Sequence, residues 1–249
     1  MNLINTLRNY ADKVPHIVER HLLALSRCDL CRQDVSQFHL LCEHCYQDLP
    51  KFNYPNLSNN LLNWPKIRSA ISHKHIDHLY VVSPYMWPFD HWLKQLKYNQ
   101  RFEFAKLLGQ LLYRQWHTDI CQITPPKVND SILHVPIPIH PKRWSKRGYN
   151  QSHLIAKQFC RLGNLQYSNR FLIRVHHQAS QVGQDGAARR RQLSGAFALN
   201  ELDATMPESV VIIDDVVTTG TTINEVAKLL KKNGVKQVGV IAIALALPQ

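Results

Sequence analysis

Apolar runs alternate with helical patterns over most of the chain. Strands are predicted where apolar residues run together, at residues 78–85, 131–140, 209–217 and 236–247. Helices are predicted where apolar residues recur every three to four positions, at residues 88–116, 148–163 and 221–234. This alternation indicates βαβ units, so we expect an α/β fold with a mainly parallel sheet flanked by helices. Ligands of such sheets bind outside the carboxyl ends of the strands.

The first 60 residues have a different pattern. Apolar residues recur at helical spacing to about residue 25, although Pro15 interrupts them. Four cysteines follow, and residues 49–65 are rich in Asn and Pro, which is typical of a linker. We therefore expect two domains: residues 1–60 with the N-terminal helix and the cysteines, and residues 61–249 with the sheet.

The four cysteines form two Cys-x-x-Cys pairs with ten residues between the pairs: Cys28, Cys31, Cys42 and Cys45. Such spacing brings four thiolates to one tetrahedral centre, the geometry of structural zinc. Two disulfides or four free thiols are the alternatives, and the lack of an export signal disfavours disulfides. A closed site of four cysteines has no open position for water, so we predict a structural zinc ion in a zinc-ribbon-like module. His39 and His44 are then not needed as ligands, and the isolated Cys121 and Cys160 are expected in the core.

The stretch VVIIDDVVTTGTT, residues 210–222, places two acids at the end of an apolar run and small hydroxyl residues after them. A loop between a strand and a helix N-terminus exposes backbone amides and partial positive charge, which suits a phosphate. The residues expected to bind it are Thr218, Thr219, Gly220, Thr221 and Thr222.

The carboxylates of Asp214 and Asp215 would repel a phosphate, so we expect them to accept hydrogen bonds from neutral sugar hydroxyls. The stretch therefore predicts a ribose 5-phosphate ligand, with Asp214 and Asp215 as the candidate catalytic residues. A plain helix-capping loop is the alternative, but it accounts for only one threonine and one acid.

The chain also carries an excess of positive charge. Lys and Arg number 30 against 18 Asp and Glu, a net charge of +12, which favours a polyanionic partner. Two clusters stand out, and Lys97 and Arg101 add to them: Lys142, Arg143, Lys146 and Arg147 in the first, and Arg189, Arg190 and Arg191 in the second. Trp144 and Tyr149 lie among the first cluster, and aromatic rings interleaved with cations are typical of surfaces that bind single strands, although either ring could instead pack in the core.

The N-terminal 20 residues carry charges throughout, which disfavours a secretory signal. The apolar run at residues 238–247 is shorter than the ~20 residues that a membrane-spanning helix needs. We therefore expect a cytoplasmic protein without membrane insertion.

Residues 210–222 resemble the phosphoribosyl pyrophosphate loop of type I phosphoribosyltransferases. Three further segments, VPIPIHPKRWSKRGYNQ, LKYNQRFEFAKLLGQLL and RRRQLSGAF, together with the four-cysteine module, resemble the ComF family, also called the GntX or competence protein F group. The resemblance covers nearly the whole chain. In the segment before QVG, His176 and His177 replace part of the family's usual basic content.

The resemblance implies a phosphoribosyltransferase-like domain behind a zinc finger, with a role in competence and in the use of external DNA. It implies that phosphoribosyl pyrophosphate or a nucleotide binds, with the diphosphate at Lys142, Arg143 and Arg147. A diphosphate beside two carboxylates also implies bound Mg²⁺.

Three hypotheses follow. The chain transfers phosphoribosyl groups in nucleobase salvage, or it handles single-stranded DNA on its two basic clusters, or its zinc module docks a DNA-uptake or recombination protein. The first two are compatible with one another.

Overall fold

The computed structural model describes residues 27–35, 39–54, 59–121, 132–175, 195–200 and 206–247. The chain divides into two compact units, residues 1–49 and residues 50–249. Within the described residues of both units, no helix is long and apolar enough to cross a membrane.

The first unit is held by two turns and one short helix. The backbone amide of Cys28 donates to Gln33 O (2.7 Å), and that of Arg32 donates back to Cys28 O (2.9 Å). Helix α1 spans Glu43–Gln47, and Cys42 caps its N-terminus. Apart from cysteines, only four apolar residues in the described part of this unit are buried, which is expected of a module that needs a further crosslink: Val35, Leu41, Tyr46 and Leu49.

The second unit contains a four-stranded parallel sheet in the order β1-β6-β5-β2. Its strands are β1 (His78–Pro84), β2 (Ile132–Pro136), β5 (Ser209–Val217) and β6 (Gln237–Leu245). A separate antiparallel ribbon pairs β3 (Leu172–Arg174) with β4 (Phe197–Leu199). The parallel sheet confirms the fold class that the alternation of patterns predicts.

The helices of the second unit are α2 (Pro65–Ala70), α3 (Phe89–Tyr98), α4 (Glu103–Trp116), α5 (Pro141–Arg147), α6 (Gln151–Gly163) and α7 (Thr221–Lys232). A 3₁₀ turn at Leu61–Asn63 precedes α2, and a π-helical turn at His117–Cys121 follows α4. Helices α4 and α6 pack against each other; α4 contacts β1 and β6, α6 contacts β2 and β5, and α7 contacts β5 and β6.

Two local expectations are wrong. The helical pattern over residues 88–116 is split into α3 and α4, because Gln100 between them has a positive φ of 54° that no helix continues through. Residues 141–147, between the predicted strand and the predicted helix at residues 148–163, are not a loop but helix α5. This helix begins at Pro141, is capped by His140 and ends before Gly148, which has a left-handed conformation.

Part of the predicted linker packs along β1 rather than running free. Phe52 N donates to Val82 O (3.0 Å), and the hydroxyl of the buried Tyr54 donates to Val81 O (2.8 Å). Asn60 Oδ1 accepts from Leu79 N (3.0 Å). The Asn and Pro content of this segment predicts a linker and does not indicate its contacts with β1. These contacts extend the second unit toward its N-terminus.

A close backbone approach fixes the loop between β5 and α7. Gly220 has a φ of 69°, and Ser72 N donates to Thr219 O (2.8 Å). A Cβ at Gly220 would lie 2.6 Å from Ser72 O, a backbone atom with no rotamer to change. The position therefore requires glycine for both its conformation and its space.

We expect Gly220→Ala to lower the free energy of unfolding by about 2–4 kcal/mol, because strain at positive φ adds to a backbone clash. The matched control is Gly234→Ala, since Gly234 also has a positive φ (97°) but a Cβ there meets nothing within 4 Å. The control should lose only about 1 kcal/mol. Urea denaturation measures both, and equal losses would show that the Ser72 contact does not matter.

Candidate functional site

Two carboxylates lie where β5 extends beyond its neighbour β2. The pairing of β2 with β5 stops at Pro136 opposite Ile213, whereas β5 continues beside β6 as far as Val217. Asp214 and Asp215 are therefore the first residues of β5 that β2 does not flank. They lie within the last part of the strand, near the carboxyl edge of the sheet, rather than terminating it.

Asp215 is buried, with 5% of its surface exposed, and three side chains hold it. Lys97 of α3 forms an ion pair with Asp215 Oδ2. From the start of α6, Gln151 Nε2 donates to Asp215 Oδ1 (3.4 Å), and Ser152 Oγ lies 3.5 Å from the same oxygen. These contacts fix the end of β5 to both helices.

Asp214 is half-buried and less constrained. Its Oδ1 accepts from Ser152 Oγ (2.9 Å) and from the backbone amide of Asp215 (2.8 Å). Ser152 thus contacts both carboxylates and holds them side by side.

The two acids titrate in opposite directions. Burial and the charge of Asp215 raise the pKa of Asp214 to about 8. Burial also acts to raise the pKa of Asp215, but the Lys97 ammonium beside it holds that pKa below its usual range. Burial acts to lower the pKa of Lys97, and Asp215 outweighs it, so that the pKa of Lys97 is raised. At neutral pH the pair therefore carries one negative charge, which Lys97 balances.

The threonine loop adjoins these acids. Thr218 and Thr219 are exposed, and Thr219 Oγ1 lies 2.9 Å from Thr221 Oγ1. Gly220 is the N-cap of α7, and no described side chain caps the first turn of this helix. Its backbone amides and the positive end of its dipole are therefore available to an anion. Thr222 lies in the first turn, where it is half-buried.

The first basic cluster lies on α5, which buries none of its side chains. Lys142, Arg143 and Lys146 are exposed, whereas Arg147 is half-buried and its Nη1 donates to Gln151 Oε1 (3.1 Å). A chain of contacts thus runs from Arg147 through Gln151 to Asp215.

Arg174, at the end of β3, is a cation that the sequence patterns do not single out. Burial and nearby Arg143 lower the pKa of Arg174, while Asp214 acts to raise it. Its guanidinium carbon lies 5.0 Å from the centre of the Phe197 ring on β4. The β3–β4 ribbon therefore places a second arginine within electrostatic range of Asp214.

The two aromatic residues beside the basic cluster differ in exposure. Trp144 is 51% exposed, but Tyr149 is buried and its hydroxyl donates to Leu96 O. The second basic cluster, Arg189, Arg190 and Arg191, and the pair His176 and His177 lie outside the described residues.

Lys97, Gln151, Ser152 and Arg174 contribute to the site beyond the motif. From the sequence, Lys97 is expected to be an exposed charge, because it lies on an amphipathic helix. Gln151 and Ser152 are the first residues of α6, whose first turn contains no acidic residue. Their polar side chains contact the acids of β5 instead. Only the packing of α3 and α6 beside β5 shows their role.

In the first unit, the four cysteines meet. Their sulfur atoms all lie within 4.8 Å of one another, and Cys31 Sγ is 3.5 Å from Cys42 Sγ. A tetrahedral zinc ion with Zn–S bonds of ~2.3 Å places its sulfurs ~3.8 Å apart, so the donor set fits. The cluster is able to hold a metal ion such as zinc. Cys160 is buried in α6, as predicted.

Comparisons with known proteins agree with both parts of the chain. Residues 175–247 match the family model described as a phosphoribosyl transferase domain. Competence protein F of Haemophilus influenzae is 30% identical over 227 residues, which cover 91% of this chain and 93% of that protein. The chain belongs to the competence protein F family.

Two further relatives extend this family. The DNA utilization protein YhgH of Escherichia coli O157:H7 is 31% identical over 221 residues, covering 88% of this chain and 84% of that protein. Competence protein ComFC of Streptococcus pneumoniae is 23% identical over 225 residues, covering 87% and 91%. The predicted family, the phosphoribosyltransferase domain and the four-cysteine cluster N-terminal to it are thus confirmed.

We expect Cys42→Ser to remove bound zinc and to unfold residues 27–49, because this module buries few apolar side chains. Cys160→Ser is the control, since that cysteine is buried in the other unit. Mass spectrometry of the native protein should find one zinc ion per chain in the wild type and in the control. Zinc retained in full by Cys42→Ser would contradict this assignment.

We also expect Asp214→Asn to raise the melting temperature of the ligand-free protein. Since the folded-state pKa of Asp214 is about 8, against ~4 in an unfolded chain, its contribution to stability is full below pH ~4 and is lost as the pH rises through about 8. The variant lacks this loss. Its advantage should widen by roughly 10 °C between pH 5 and pH 9 in thermal denaturation. A constant difference across this range would show that Asp214 is ionised throughout.

Proposed function

We propose that this protein binds a ribose 5-phosphate, as phosphoribosyl pyrophosphate or a nucleotide, and that this binding serves competence and the use of external DNA in the cytoplasm. One observation carries the proposal. The half-buried carboxyl group of Asp214 and the N-terminus of α7, which begins four residues after β5 ends, lie at the same end of β5. We assign the ribose to the space between them.

The phosphate is assigned to the loop of Thr218, Thr219, Gly220, Thr221 and Thr222. Hydroxyl groups and backbone amides donate to its oxygens, and the dipole of α7 favours its charge. Gly220 supplies the left-handed conformation from which α7 begins.

The two acids have different roles in this proposal. Asp214 meets the 2- and 3-hydroxyls of the ribose, because it is the more exposed carboxyl and makes fewer contacts. Asp215 does not meet the ligand in this proposal. Lys97 keeps Asp215 ionised, and the negative charge of Asp215 keeps the neighbouring Asp214 protonated near neutral pH. A protonated Asp214 both donates to and accepts from the ligand, so the site does not present two charges to an anion.

The diphosphate is assigned to Lys142, Arg143 and Arg147, with Arg174 as an additional cation. Arginine suits this task because its planar fork donates two parallel hydrogen bonds. Mg²⁺ enters with the diphosphate and neutralises part of its charge.

Transfer of the phosphoribosyl group to a nucleobase is a second candidate function. The position of Arg174 within electrostatic range of Asp214 favours it, because a cation there would stabilise a departing pyrophosphate. The same residues serve a binding protein equally well, so turnover has to be measured.

The DNA-handling part of the proposal is assigned to the basic residues of α5 together with Arg189, Arg190 and Arg191, which would hold single-stranded DNA. The names of the relatives, competence protein F and DNA utilization protein, support it. The zinc module is proposed to serve as a structural element or as the docking surface for a DNA-uptake or recombination protein.

The test is calorimetry and thermal shift with phosphoribosyl pyrophosphate plus Mg²⁺, ribose 5-phosphate, ribose and a panel of nucleotides. We expect phosphoribosyl pyrophosphate to stabilise the wild type by several degrees at a concentration of about 100 Kd. Asp214→Ala should weaken its binding by about tenfold or more, since a buried hydrogen bond to a charged or polar partner is lost.

Glu208→Gln is the control, because it alters a carboxyl group that lies in an exposed ion pair with Lys236 and outside the candidate site. It should bind as the wild type does. If ribose and ribose 5-phosphate bind equally well, then the loop at residues 218–222 does not bind a phosphate, and that part of the proposal is wrong. Release of pyrophosphate with any base in the panel would establish the enzymatic alternative.

A further inference from the structure

Three exposed aromatic side chains lie close to the basic helix α5. Tyr98 ends α3, Phe102 precedes α4, and Trp144 lies on α5, with 69%, 48% and 51% of their surfaces exposed. We call these three residues the aromatic surface. Large exposed rings cost free energy in water, so a group of them near one another marks an interaction site.

Arg147 and Tyr149 join the members of this surface. The Arg147 guanidinium carbon lies 5.2 Å from the centre of the Tyr98 ring, and Trp144 lies one turn earlier on the same helix. Phe102 packs edge-on against Tyr149, with ring centres 4.8 Å apart. Since Tyr149 is buried and its hydroxyl bonds to Leu96 O, Phe102 has a fixed support.

Helix α5 contributes charge without contributing to the core. None of its side chains is buried, and Lys142, Arg143 and Lys146 are exposed beside Trp144. Because α5 buries no side chain, burial in a core does not explain why a tryptophan and several cations lie together on its surface. Contact with a partner that offers both apolar faces and negative charge supplies an explanation.

Unpaired nucleotides have both features. Each base has a flat face that stacks on an aromatic ring, and each linkage carries a phosphate that meets a cation. An acidic peptide would use the cations and leave the rings exposed. Duplex DNA would also leave them exposed, because its bases are already stacked.

We propose that single-stranded nucleic acid binds across the aromatic surface, with bases stacked on Tyr98, Phe102 and Trp144 and phosphates at the cations of α5. This inference rests on the DNA handling proposed above, and it names the rings that make the binding selective for unpaired bases. The surface adjoins the ribose phosphate site, since Lys97 precedes Tyr98 and Arg147 contacts Gln151.

The experiment compares two fluorescent strands of about 20 nucleotides, one of mixed sequence and one with the same backbone but without bases. The wild type should bind the strand with bases at least about tenfold more tightly, since stacking acts only on that strand. The double variant Tyr98→Leu/Phe102→Leu keeps apolar volume and removes both flat rings. We expect it to lose most of this preference while its affinity for the baseless strand is unchanged.

Trp87→Leu is the matched control, because Trp87 is 60% exposed but follows β1 and lies outside the aromatic surface. It should keep the preference of the wild type. The proposal is overturned if the wild type binds both strands equally, if the double variant keeps the preference, or if a polyglutamate peptide displaces the mixed-sequence strand as well as unlabelled strand does.

Phosphoribosyl pyrophosphate binding is measured on the same proteins. If the double variant loses base preference and still binds phosphoribosyl pyrophosphate, then the aromatic surface is supported, and loss of fold is excluded. If the wild type binds phosphoribosyl pyrophosphate but shows no base preference, then the surface is wrong and the ribose phosphate site stands. If it shows base preference alone, then the ribose phosphate site is wrong and the surface stands.

Discussion

The buried ion pair between Lys97 and Asp215 organises the second unit around its candidate site. It joins α3 to β5 at the point where β2 stops, and Gln151 and Ser152 of α6 complete the contacts. A carboxylate removed from water needs such partners, because an isolated charge there costs several kcal/mol. The same pair keeps Asp215 ionised and thereby raises the pKa of its neighbour, so one interaction sets both the geometry and the charge of the site.

A second constraint acts on the phosphate loop. The backbone of Gly220 lies against Ser72, and Ser72 N bonds to Thr219 O, so the segment before β1 supports the start of α7 from outside the sheet. The loop is therefore held by contacts within the protein, which would lower the entropy cost of the proposed phosphate binding. Together, the two constraints hold the acids of β5 and the amides of α7 at a set separation, as the proposed binding of a sugar phosphate would require.

The aromatic surface extends this arrangement outward. Arg147 contacts Tyr98 on one side and Gln151 on the other, so that the surface and the candidate site share a cation. The two functions proposed above, binding of nucleic acid and of ribose phosphate, would thus be served by neighbouring surfaces. In both proposals the exposed helix α5 supplies the cations, either to a diphosphate or to a nucleic-acid strand.

The sequence by itself determined the α/β fold, the four cysteines and the acid–threonine stretch, because these depend on local periodicity and spacing. The strand pattern at residues 209–217 and the buried Cys160 needed no long-range information. Only the tertiary structure decided that Lys97 is an ion-pair partner rather than a surface charge, that Tyr149 is buried while Trp144 is exposed, and that Arg174 lies near Asp214. Each of these depends on contacts between elements far apart in the chain, and no local pattern encodes which face of a helix meets which strand.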